Sequence, residues 1–117
     1  MNLLLISLHY YRQKTNISFD DNLTPDVLPV NSLSLMQLAG LTLDNYDITA
    51  LDNPKKINFD AGYDLIGIST VTASANDAYE LADEFRRRGK TVVLGGYHPS
   101  ALPWEAKMHA DSVVVGE

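Results

Sequence analysis

A doubly wound α/β domain on a parallel sheet of five strands is what this sequence predicts, and three observations predict it. Short, uninterrupted apolar runs recur along the chain, as strands buried on both faces require. Segments with helical periodicity lie between them, so strands and helices alternate rather than segregate. The 117 residues include 45% hydrophobic and 21% charged residues, ordinary values for one domain with one core.

The first run, Leu3-Leu4-Leu5-Ile6-Ser7-Leu8, is a strand, since it lacks the basic front and small-residue cleavage site of a secretion signal. From His9 to about Asn31 the chain is polar and broken by Asp20, Asp21, Pro25 and Pro29. Loops beyond ~12–15 residues are usually functional or disordered, which makes this one informative. Asn31 or Ser32 caps a helix carrying Leu35, Leu38, Ala39 and Leu43 on roughly one face. Asp47-Ile48-Thr49-Ala50-Leu51 is a short second strand, followed from Asn53 to Tyr63 by an irregular segment with room for one helical turn. Asp64 to Ser69 forms the third strand, apolar on both faces.

Ser74 is the expected cap of the clearest helix, whose Ala75, Ala78, Ala82 and Phe85, flanked by Tyr79 and Leu81, follow the helical period. Arg86, Arg87 and Arg88 fall in its last turn, where cations suit the negative end of the dipole, and Gly89 stops it. Thr91 to Leu94 is the fourth strand, leading into Gly95-Gly96; Pro103 opens a short helix through Met108. Ser112 to Val115 is the fifth strand. Right-handed crossovers give this pattern the strand order 2-1-3-4-5, a flavodoxin-like (Rossmann-like) sheet. Such a fold closes with a helix after its fifth strand and none follows here, so residues 1–117 are expected to be one domain of a longer polypeptide, truncated after that strand.

Composition removes several functions. With no cysteine, the chain holds no disulfide, thiolate zinc site, cysteine nucleophile or iron–sulfur cluster of its own. A net charge of −6 argues against a general nucleic-acid binder. No apolar run approaches the ~20 residues of a membrane span. The cytoplasm is the expected compartment.

In open sheets of this kind a ligand sits outside the carboxyl ends of the strands, at the switch in strand order. Ser69-Thr70-Val71-Thr72, Gly95-Gly96-Tyr97-His98-Pro99-Ser100 and Gly116-Glu117 all leave strands there, as does the loop after His9. Each also has a plain reading. The hydroxyls satisfy turn amides, the glycine pair makes a turn, and His98, held extended before Pro99, packs or bonds locally. For Tyr97 and Trp104 the core is favoured over a pocket wall. No GxGxxG follows a strand, no GxxxxGK[ST] occurs, and no flavodoxin-type phosphate loop follows the first strand. The acidic pair and aspartate of a phospho-receiver are replaced by His9, Tyr10 and Ser69. His9, His98 and His109 show no metal-ligand spacing.

Three segments in order carry a resemblance. Asp64-Leu65-Ile66-Gly67-Ile68-Ser69-Thr70-Val71-Thr72, Val92-Val93-Leu94-Gly95-Gly96-Tyr97-His98-Pro99-Ser100 and Ala110-Asp111-Ser112-Val113-Val114-Val115-Gly116-Glu117 resemble successive motifs of the amino-terminal cobalamin (vitamin B12)-binding domains of radical S-adenosylmethionine enzymes. The likeness is strong from Tyr63 onward and looser before it, through Pro29 to Leu33. It implies a cobalamin on the carboxyl edge of the sheet, with its nucleotide tail between sheet and helices. Ser69 then matches the position whose hydroxyl bonds the tail, with Thr70, Val71 and Thr72 nearby. Gly95 and Gly96 leave room for the tail, and Tyr97, His98 and Gly116 line ring or tail; any larger side chain at the glycines is expected to clash.

The Asp-x-His-x-x-Gly motif of methionine-synthase-like domains is missing: Ser7-Leu8-His9-Tyr10-Tyr11-Arg12 keeps only the histidine, too close to the strand. Cobalamin without a protein lower ligand is therefore favoured over cobalt ligation by His9. The resemblance further implies a radical module in the same polypeptide, of methyltransferase or cyclase type, with an iron–sulfur cluster and S-adenosylmethionine bound through a CxxxCxxC. This chain lacks that motif and is not expected to be catalytic alone. The competing reading is a flavodoxin-like interaction domain without cofactor, its pocket filled by Tyr97 or Trp104. A small nucleotide- or flavin-binding enzyme ranks below both for want of a phosphate loop.

Overall fold

The computed structural model describes residues 1–8, 40, 46–52, 54 and 56–116. His9, the loop after it, nearly all of the expected helix after Asn31, and Glu117 lie outside the described residues. Strand β1 spans Asn2–Leu8, β2 Asp47–Asp52, β3 Leu65–Thr70, β4 Thr91–Gly95 and β5 Ser112–Val113. All neighbours pair in parallel, and the order is β2-β1-β3-β4-β5, as expected.

Strand β1 is buried along both faces from Leu3 to Leu8. Leu4, Ile6 and Leu8 join Ile66, Ile68, Val92 and Leu94 in the main core, beneath Ala78, Leu81, Ala82 and Phe85 of helix α1 (Ala75–Arg87). Leu3 and Leu5 face the other way, against Ile48, Ala50 and Leu65. A Cβ at Gly67 would stand 2.9 Å from Leu5 Cδ2, so this glycine makes room for the leucine on the second face.

Helix α1 ends as the sequence leads one to expect. Gly89 takes φ +80°, and its N–H donates to the Arg86 carbonyl while that of Lys90 donates to the Phe85 carbonyl. This is the Schellman closure, which satisfies carbonyls left over at a helix end. Each arginine of the last turn has a carboxylate: Arg86 Asp111, Arg87 Glu84, and Arg88 both Glu84 and Asp60. Arg88 also lies 4.9 Å above the Phe59 ring.

Five local expectations are corrected. Ser74 makes no cap bond; it ends a 3-10 turn over Thr72–Ser74, and its hydroxyl is drawn inward to the Leu8 carbonyl, 2.9 Å away. Among the described residues of 53–63 there is a bridge at Lys56 and a turn, but no helical turn. His98 is helical rather than extended, because Tyr97–Ala101 forms a short helix, α2, with Gly96 as its cap. Pro99 falls in the first turn, where a backbone N–H would have no helical partner anyway, and two side-chain bonds hold His98 against its unfavoured conformation. Helix α3 (Pro103–Ala106) starts at Pro103 but gives way to a turn before Met108, and β5 pairs over only two residues of the expected four.

Candidate functional site

Because every strand runs the same way, their carboxyl ends meet on one rim. The register aligns Ser7 with Ser69 and Ser69 with Gly95, so three sequence-distant segments share one row. The Thr72 hydroxyl lies 3.1 Å from His98 Nδ1, and the Gly116 N–H donates to Ser100 Oγ over 3.0 Å. The three segments singled out from the sequence therefore lie on the same edge.

Their side chains do different things. Ser69 is half-buried, and its hydroxyl bonds no described residue. Thr70 is only 1% exposed; its hydroxyl donates to the Val71 carbonyl and meets Ser74 Oγ at 2.9 Å, so it braces the turn from within. Val71 contributes its carbonyl to the same turn, accepting the Ser74 N–H. Thr72 is exposed on the rim. Gly116 is exposed with φ +91°.

The glycine pair divides. At Gly96 φ is +99°, and a Cβ would come within 2.8 Å of Ser69 Oγ and of the Thr70 carbonyl oxygen, and 2.9 Å of the Thr70 nitrogen. Gly96 is thus required by the fold, which presses the start of α2 onto the end of β3. At Gly95 a Cβ meets nothing closer than Val114 Cβ at 3.7 Å, an ordinary contact. A side chain is thus excluded by the protein itself at Gly96 but not at Gly95.

Tyr97 and Trp104, expected in the core, are 83% and 70% exposed. Each lies in the first turn of a short helix whose buried positions go to His98, Pro99 and Ala106 instead. Neither aromatic ring fills a pocket. His98 is turned inward, with both ring nitrogens engaged: Nδ1 with Thr72, and Nε2 with Glu105 Oε2 at 2.7 Å. The Tyr79 hydroxyl donates to the same Glu105 oxygen at 2.7 Å. Tyr79 stacks on His109 with ring centroids 4.2 Å apart, and His109 Nδ1 lies 2.9 Å from Asp83.

The hydrogen bonds from Tyr79 and His98 hold the Glu105 carboxyl below its ordinary value, while burial and the neighbouring carboxylate push the Tyr79 phenol well above its own. Sequence reasoning did not reach Glu105. Its signal was weak: an acid in the first turn of a helix opened by Pro103, with no visible tie to His98. Among the described residues no group of three or more histidine, aspartate or glutamate side chains is placed to hold a metal, and no helix is long and apolar enough to cross a membrane.

A doubly wound sheet whose carboxyl rim carries a hydroxyl bonded to no described residue, with a glycine in register beside it, defines an α/β domain of the kind that takes ligands at its strand ends. Residues 33–117, more than half of the chain, match the family of the B12 binding domain, and the chain belongs to that family. Among curated relatives it is 50% identical over 91 residues to the bacteriochlorophyllide d C-8(2)-methyltransferase of Chlorobaculum tepidum, covering 76% of this chain and 20% of that protein. It is 36% identical over 91 residues to the bacteriochlorophyllide d C-12(1)-methyltransferase of the same organism, covering 73% and 19%. The chain thus spans about a fifth of the length of these relatives. No solved structure matches.

The rim fits cobalamin on its own features. A nucleotide tail needs a hydroxyl to bond and a place where it can approach backbone closely. Ser69 has a hydroxyl that bonds no described residue, and Gly95 has backbone that no side chain of its own covers, so both needs can be met on this rim.

Proposed function

We propose that the chain is the cobalamin-binding module of a larger radical S-adenosylmethionine methyltransferase. The observation that carries this reading is the Ser69 hydroxyl, at the end of β3 and against Gly96, without a hydrogen-bond partner among the described residues. Ser69 holds the nucleotide tail, Gly95 admits it along the backbone, and Thr72 and Gly116 edge the same opening. Tyr97, projecting from the start of α2, covers the exposed side. When bound, cobalamin supplies the cobalt chemistry of methyl transfer; the protein's part is placement and exclusion of water. The names of the two relatives favour a methyltransferase over a cyclase and a bacteriochlorophyllide as substrate. Any S-adenosylmethionine and iron–sulfur cluster would belong to a CxxxCxxC-bearing module of the same polypeptide, because this chain has no cysteine.

Mixing the domain with hydroxocobalamin, removing excess by gel filtration and recording the visible spectrum tests the reading. Co-eluting corrinoid absorbance is expected, weakened roughly fivefold to tenfold in affinity by Ser69→Ala, the usual worth of one hydrogen bond. Colourless protein with an intact circular dichroism spectrum overturns it.

A further inference from the structure

His98 does not reach the rim, yet it is joined to it through Thr72. The Glu105 carboxylate only accepts hydrogen bonds, so at 2.7 Å the His98 Nε2 must carry a proton. In the neutral ring the opposite nitrogen, Nδ1, then holds a lone pair, and the Thr72 hydroxyl 3.1 Å away donates to it. The Tyr79 hydroxyl, donating to the same Glu105 oxygen, keeps that carboxylate in place. Thr72, an exposed residue, is left with its only proton committed inward and lone pairs still able to accept.

We propose that His98 and Glu105 form a positioning pair that fixes Thr72 as a hydrogen-bond acceptor on the rim, selecting a ligand that presents a primary-carboxamide N–H there. The inference rests on the cobalamin reading and deepens it, since the corrin periphery carries primary carboxamides. A carboxylate in place of that amide has no N–H to give and is rejected by the acceptor.

The test titrates the chain with hydroxocobalamin and with its separated monocarboxylate derivatives, each having one peripheral amide hydrolysed, and follows absorbance. The wild-type chain is expected to bind one monocarboxylate about tenfold more weakly than hydroxocobalamin. Thr72→Val should lose that discrimination and Thr72→Ser should keep it; Thr72 is exposed, so neither change threatens folding. His98→Gln, which retains one donor and one acceptor, should preserve more discrimination than His98→Leu. Independently of any ligand, ¹⁵N-histidine NMR of the free chain should show His98 protonated at Nε2. Equal discrimination by wild type and Thr72→Val, or an Nδ1–H tautomer, overturns the positioning role while leaving cobalamin binding intact. Failure of the wild-type chain to take up hydroxocobalamin overturns both.

Discussion

The two rim glycines separate two demands that a sequence motif merges. Gly96 sits at a φ reserved for glycine and within 3 Å of the Thr70 backbone, so Gly96→Ala combines backbone strain with overpacking. A loss of about 2–4 kcal/mol in urea-unfolding free energy is expected. Gly95→Ala meets only an ordinary contact and removes strand-glycine entropy, so stability should be unchanged or raised by up to about 0.5–1 kcal/mol. Should Gly95→Ala nonetheless lower affinity for hydroxocobalamin, the space over Gly95 is ligand space. Glu105 makes a prediction of a different sign. Its carboxyl is held below the ordinary value, so its contribution to stability is fully present above the usual glutamate range and is lost as the pH falls through the lowered native value. Urea midpoints measured from neutral to acid pH should decline less steeply in Glu105→Gln than in the wild type.

At the scale of elements, one hydroxyl ties three of them. Ser74, at the entrance to α1, reaches the Leu8 carbonyl that ends β1 and the Thr70 hydroxyl that ends β3. Ser74→Ala should cost about 1–3 kcal/mol, the price of leaving buried partners unpaired, measured by thermal or urea unfolding. Nothing in the local sequence separates this role from an N-cap, because both want a small hydroxyl before a helix. The strands were legible because parallel strands buried on both faces leave runs such as Leu3 to Leu8 that no other element explains as well. Helix α1 was legible through its apolar period and its Gly89 stop. Helix α2 was not: His98 before Pro99 argues locally for extended chain, and the bonds to Thr72 and Glu105 that override it are tertiary. The exposure of Tyr97 and Trp104 was hidden for a related reason, since helices of five and four residues have no period long enough to orient their faces. Of the rim, the positions of Ser69, Gly95 and Gly116 were readable as strand ends, whereas the inward turns of Thr70 and His98 were not.

For the whole molecule, a ligand gripping the rim binds only the folded chain. At a hundredfold excess over its dissociation constant, hydroxocobalamin should add about 2.7 kcal/mol of stability. For a domain of this size that corresponds to a rise in melting temperature of roughly 10 °C, read by differential scanning fluorimetry or calorimetry. An unshifted transition at saturating ligand would contradict binding to the native state.

The row that aligns Ser7, Ser69 and Gly95 has a temporal consequence as well as a spatial one. Its members come from the first, middle and late thirds of the described chain, so the row exists only after the longest-range pairings have closed, the slowest kind of step in a folding reaction. On the proposed reading, a polypeptide still being synthesised cannot hold a corrinoid until β4 has docked. If the proposed site is right, colour in a preparation of this protein reports that β4 has docked on β3.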